Sequence, residues 1–152
     1  MAQTTSVPGV AQRTGATIYY IEMLPAKDGH EPIFSLMPTP GDVDVVMAAE
    51  LMEAGRSVLR GLVTPDKTLL IASTHRSFAV AEKEKPGDGI GNAEVVVDAT
   101  DFAAKRTIAF DMETMAVRNG SVISASMFGA LAGSGALPSS SRRDPRRKFS
   151  CI

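Results

Sequence analysis

Thr68-Leu69-Leu70-Ile71-Ala72-Ser73-Thr74 is nearly continuous apolar sequence that turns polar at Ser73-Thr74-His75-Arg76. A short apolar run without alternation reads as a strand buried on both faces of a parallel sheet. The stretches around it agree with that assignment. Before it, Asp42 to Met47 reads as a short strand. From Ala48 the apolar period lengthens: Leu51, Gly55, Val58, Leu59 and Leu62 share one side, and Glu53, Arg56 and Arg60 another. This predicts an amphipathic helix, with Gly61 and Pro65 as stop signals. After the central run come a charged, glycine-rich segment, Glu82 to Gly91, and then a helix whose Glu94, Asp98, Asp101 and Lys105 fall on one face. Val95-Val96-Val97 keeps a strand reading open there. Thr107 to Phe110 reads as a strand. Asp111 is placed to cap a helix over Met112 to Arg118, and Asn119-Gly120 ends it. Val122 to Ala136 predicts a final, buried helix, with Gly129, Ala132 and Gly133 available for close packing. Toward the amino end, Thr17 to Met23 and Ile33 to Met37 predict a hairpin joined by the polar turn Lys27-Asp28-Gly29-His30-Glu31. Strands alternating with helices predict an α/β domain with a mostly parallel sheet and a hairpin insertion.

At 152 residues, 44% hydrophobic and 22% charged, the composition is that of one globular domain. The net charge of -1 hides an asymmetry. Residues 141–152 hold Arg142, Arg143, Arg146, Arg147 and Lys148 against Asp144, which leaves the body with 11 basic and 16 acidic residues. An acidic body argues against nucleic acid as the main partner. Cys151 is the only cysteine, so the chain alone forms no disulfide and no cysteine-ligated zinc or iron-sulfur site. A reducing, cytoplasmic setting fits. The first residues lack a secretory signal's basic start and apolar run, and no stretch has the ~20 apolar residues of a membrane span.

Val7-Pro8-Gly9-Val10-Ala11-Gln12-Arg13-Thr14-Gly15-Ala16-Thr17 reads as a donor-lined loop ahead of a strand. Gln12, Arg13 and Thr14 suit a carboxylate, a phosphate or the acidic surface of a partner, and Gly15 relieves a tight backbone position. An ordinary surface loop is the plainer alternative. Ser73, His75 and Arg76 form a second candidate, because ligands of open α/β sheets bind at the carboxyl ends of the strands. Ser73 and His75, two apart, point side by side, and no glycine-flanked serine elbow is present, which argues against a hydrolase. Asp42 with Asp44 and Glu50 with Glu53 are carboxylate pairs, but such pairs are more often turn residues, first-turn helix acids or a solvated face. His30 and His75 are far apart in sequence, and no His-x-x-x-His or Cys-x-x-Cys spacing is present, so no protein-held metal is expected. Gly87-Asp88-Gly89-Ile90-Gly91 lacks the lysine and serine of a phosphate-binding P-loop. The sequence alone assigns no catalytic role to any residue.

Val7 to Glu22, Pro40 to Arg56, Ser73-Thr74-His75-Arg76 and Gly129-Ala130-Leu131-Ala132-Gly133-Ser134-Gly135-Ala136-Leu137-Pro138 resemble the gamma-type domain of the 2-oxoacid ferredoxin oxidoreductases, in the form of the indolepyruvate oxidoreductase beta subunit. The resemblance covers residues 3–138 and sets the domain at 1–138. It implies a Rossmann-like fold, in a complex that oxidatively decarboxylates an aryl 2-oxoacid to an acyl-coenzyme A and passes electrons to ferredoxin. It also implies that thiamine diphosphate and the iron-sulfur clusters sit on partner domains, mainly an alpha-type subunit, and that the 12–15 loop contacts those domains or coenzyme A. The family's opening strand, glycine turn and helix are not found before Met1, so the resemblance implies a fragment, inactive by itself. Residues 139–152 fall outside it and read as an unrelated basic tail, expected to be disordered. The alternative is a stand-alone Rossmann-like module that binds coenzyme A or a nucleotide.

Overall fold

The computed structural model describes residues 1–7, 17–24, 32–77, 92–137 and 149–151. In chain order the elements are strands β1 (Ala2–Val7), β2 (Ile18–Met23) and β3 (Val45–Ala48), helix α1 (Leu51–Leu59), strand β4 (Leu69–Ser73), helix α2 (Ala93–Ala103), strand β5 (Arg106–Phe110), helices α3 (Met112–Arg118) and α4 (Ile123–Ser134), and strand β6 (Phe149–Cys151). They build one six-stranded sheet in the order β1-β2-β6-β3-β4-β5. The β3-β4-β5 half is parallel, and β1-β2 is an antiparallel hairpin. The expected Rossmann-like α/β class is what forms.

β4 is buried at all five positions, between β3 and β5, as its unbroken apolar run required. Its side chains alternate between two clusters. Leu70 and Ala72 join Val43, Val46, Ala48, Ala54, Leu62, Val63 and Ala104 on the face covered by α1 and α2. Leu69 and Ile71 join Val45, Met112 and Leu131 on the face covered by α3 and α4. The sheet is therefore sandwiched, and α1 crosses α2 with Gly55 against Val96.

α1 ends as Gly61 predicted. Its φ is +71°, Gly61 N–H donates to the Val58 carbonyl at 2.9 Å, and Leu62 N–H donates to the Ser57 carbonyl at 3.0 Å. This is the paired arrangement of a Schellman stop, which needs a left-handed residue. α3 stops the same way, with Gly120 at +61° and N–H bonds from Gly120 to Val117 and from Ser121 to Ala116. The Val95-Val96-Val97 run is helical, with Asn92 capping Glu94 N–H at 2.9 Å.

Four expectations are corrected. The antiparallel partner of Thr17 to Met23 is Ala2–Val7 and not Ile33 to Met37, which lies across the hairpin without being a strand. Leu59, assigned to the buried side of α1, is 89% exposed, because it is the last helical residue and has turned past the sheet. α4 is not buried: of its twelve residues only Leu131 is, and Gly129 and Gly133 have no neighbour within 4 Å of where a side chain would begin. Within 139–152, Phe149–Cys151 form a strand between β2 and β3, pairing Ile21, Glu22 and Met23 on one side and Val45 on the other. Backbone groups between two strand edges are satisfied by an inserted strand whatever its composition, so the basic run before it was no guide.

Candidate functional site

Three elements deliver polar residues to the carboxyl edge of the parallel strands. Glu50 follows β3, Ser73 to Ser77 leave β4, and Asp111 follows β5. This is where open α/β sheets hold ligands.

Glu50 is the N-cap of α1, with extended backbone (φ -149°, ψ 147°). Its Oε2 accepts the N–H groups of Met52 (2.8 Å) and Glu53 (3.2 Å), and its Oε1 accepts that of Ser77 (3.3 Å). Leu51 N–H donates to the His75 carbonyl at 3.1 Å. The first three helical N–H groups, which otherwise face outward unpaired, are all taken. Glu53, next along, pairs with Arg56 at 2.5 Å, so the Glu50/Glu53 pair divides between a cap and a helix-surface ion pair.

Asp111 caps α3 as expected. Its Oδ1 accepts Thr114 N–H at 2.9 Å and its Oδ2 the Thr114 hydroxyl at 2.7 Å. Thr114 N–H first and the Thr114 hydroxyl second hold the Asp111 carboxyl below the ordinary 3.8. Between the two caps lies Ser73, with no exposed surface. Its hydroxyl oxygen accepts N–H from Met112, the first residue of α3, at 3.2 Å, and from His75 at 3.3 Å. Thr74 N–H donates to the Phe110 carbonyl at 3.0 Å. The segment leaving β4 is thus tied to α1 on one side and to β5 and α3 on the other. His75 and Arg76 are half-buried in it, and Thr74 and Ser77 are exposed.

The structure therefore brings Ser73, His75 and Arg76 together, and gives Ser73 a bracing role beneath the other two. Gln12, Arg13, Thr14 and Gly15 lie outside the described residues, as do His30 and the 87–91 glycine loop. Glu50 is the contributor that sequence rules did not assign, because glutamate is not among the favoured N-cap residues. The arrangement leaves little room for an anion. Two helix N-termini, ordinarily receptive to phosphate, are filled by carboxylates of the chain. A phosphate there would have to displace Glu50 or Asp111.

A cavity of about 440 Å³ opens at the opposite, amino edge of β3, β4 and β5, lined by Asp44, Asp66, Lys67, Lys105, Arg106 and Ser134 among others. Two of its cations have partners. Lys67 Nζ pairs with Asp42 and lies 3.7 Å from Asp44 Oδ1, and Arg106 donates to the Ser134 carbonyl at 3.4 Å. Among the described residues no group of three or more His, Cys, Asp or Glu is placed to hold a metal ion, and no helix is long and apolar enough to cross a membrane.

A sandwiched, mostly parallel sheet with a braced carboxyl edge defines a Rossmann-like α/β domain. The chain belongs to the pyruvate ferredoxin/flavodoxin oxidoreductase family, whose pattern it matches over residues 1–145. No curated protein and no solved structure matches it. Membership makes it part of a 2-oxoacid ferredoxin oxidoreductase, a family whose members work in multi-subunit complexes with ferredoxin. The match runs seven residues past the boundary at 138, into the basic tail.

Proposed function

We propose that this chain is the interface domain of an oxidoreductase that converts aryl 2-oxoacids such as indolepyruvate to the acyl-coenzyme A, with ferredoxin as electron acceptor in a cytoplasmic complex. The observation that carries this reading is the family match over residues 1–145. Two observations support keeping the complex's own redox groups off this chain: one cysteine cannot ligate a cluster, and among the described residues the carboxylates of Glu50 and Asp111 oppose a diphosphate at the helix N-termini. We therefore assign thiamine diphosphate and the iron-sulfur clusters to an alpha-type partner subunit. In this reading the 74–77 segment and the Gln12-Arg13-Thr14-Gly15 loop form the wall that meets that subunit, and coenzyme A, if it reaches this domain, does so at the 12–15 loop. The isolated chain is inactive on this view.

The test is co-expression with an alpha-type subunit, followed by indolepyruvate-dependent reduction of a dye. The assembled pair is expected to turn over, and Arg13→Ala or His75→Ala to lower turnover or weaken assembly. Unchanged turnover and unchanged assembly in both variants would remove these residues from the interface. Calorimetric titration of coenzyme A into the isolated chain is expected to give no heat of binding. Saturable binding would favour a stand-alone coenzyme A or nucleotide module instead.

A further inference from the structure

Residues 32–37 cross one face of the β1-β2 hairpin without joining the sheet. The strand register pairs Gln3 with Glu22 and Thr5 with Tyr20, and alternation along each strand puts these four side chains on the same face. Three of them hold the crossing segment. Ser35 N–H donates to Glu22 Oε2 at 2.8 Å, the Thr5 hydroxyl donates to the Leu36 carbonyl at 2.9 Å, and Gln3 Nε2 donates to the Ser35 carbonyl at 3.5 Å. Among the described residues no backbone-to-backbone hydrogen bond joins 32–37 to anything. Among the described residues, the hydrogen bonds that fasten the segment all come from side chains and all fall at Ser35 and Leu36.

Its apolar side chains do little to anchor it. Ile33 is 95% exposed, Leu36 72% and Met37 51%, and Phe34 is half-buried. Detaching a segment normally costs the apolar area it uncovers, and here most of that area already faces water. Pro32 and Pro38 bound it, each fixing φ and offering no N–H to bond. Beneath it Glu22 is 8% exposed, and its bond to Ser35 is charge-assisted and the shortest of the three.

We propose that residues 32–37 are a strap that lifts as a unit from a closed sheet, with the Glu22 carboxylate as its catch. Among the described residues, lifting breaks three side-chain hydrogen bonds and no strand pairing. It uncovers Glu22, so the device is a lid over a buried carboxylate.

Amide hydrogen exchange on the full chain tests this. In the unsubstituted protein the Ser35 amide is expected to exchange faster than the Leu70 and Ile71 amides of β4. Glu22→Ala is expected to speed Ser35 exchange by about tenfold, the loss of one hydrogen bond to a charged acceptor, with β4 unchanged. Glu22→Gln keeps an acceptor oxygen and is expected to restore most of the protection. Thr5→Ala, which frees the neighbouring Leu36 carbonyl, is expected to accelerate Ser35 without touching the carboxylate, and serves as the test if Glu22→Ala does not fold. Ser35 exchange unchanged in the variants would overturn the proposal. So would acceleration of Ser35 and β4 together, which would mean that Glu22 supports the whole fold.

Discussion

Ser73 has no contact with solvent, and its hydroxyl accepts N–H groups from His75 and Met112. Alanine there would leave both donors without their partner, at a cost of about 1–3 kcal/mol. We expect Ser73→Ala to lower the urea midpoint accordingly; an unchanged midpoint would mean that the hydroxyl is not the tie. Lys67 predicts a pH effect at the other edge. Desolvation pushes its pKa down, but the bond to Asp42 and the charges of Asp44 and Asp42 outweigh that, so the folded value lies above 10.5. A raised lysine contributes its full stability below the unfolded pKa and loses it as pH rises through the folded one. Asp111 runs oppositely: held below 3.8, it contributes above that pH and its contribution is lost as pH falls through the lower, folded value. Lys67→Met should therefore remove under about 1 kcal/mol at neutral pH, the pair being near the surface, and flatten the decline of stability above pH 10.5. An alkaline melting series on both proteins reads this directly. The position of Ser73 and His75 at the carboxyl edge was legible because a strand turning from apolar to polar marks its own end. Glu50 was not, because its role depends on Ser77 approaching from another strand.

Gly55 lies where α1 meets α2, and a Cβ there would sit 2.9 Å from Val96 Cγ1. Valine cannot swing aside, since its branched carbon is restricted in a helix. Gly55→Ala gains about 1 kcal/mol of helix propensity but overpacks the crossing by about 1–3 kcal/mol, so a net loss of up to about 2 kcal/mol is expected. Val96→Ala in the same chain should recover the overpacking part. If the double variant is no more stable than the sum of the single effects, the contact is not the cause. Elements that carried their own signal were read well: β4 by its unbroken run, α1 by its period and Gly61, and α3 by Asp111 and Gly120. β1 was missed because Ala2-Gln3-Thr4-Thr5-Ser6-Val7 lacks apolar alternation, and its strand character comes from pairing with β2. α4 shows the converse error. Apolar composition says what a helix could bury, not whether its own chain covers it.

Across the molecule's described residues, the α3-α4 pair carries one set of exposed apolar side chains, beside others such as Ile33, Leu59 and Phe102. Met115 is 49% exposed, Val117 65%, Val122 65% and Phe128 66%, and no charged residue occurs between Arg118 and Arg142. Exposed patches of this kind associate. The isolated chain is expected to self-associate at micromolar to millimolar concentration, and Phe128→Glu to shift its sedimentation toward the monomer, with the urea midpoint changed by less than about 0.5 kcal/mol. Equal association in the variant would place the contact elsewhere. The capped carboxyl edge has a consequence for descent as well as for binding. Glu50 occupies the first turn of α1 from within, so a phosphate-binding relative could arise from this domain by losing a side chain, as in Glu50→Gly, before gaining any. The first step toward a nucleotide site would be measured as a weaker helix, and only a later one as a ligand held.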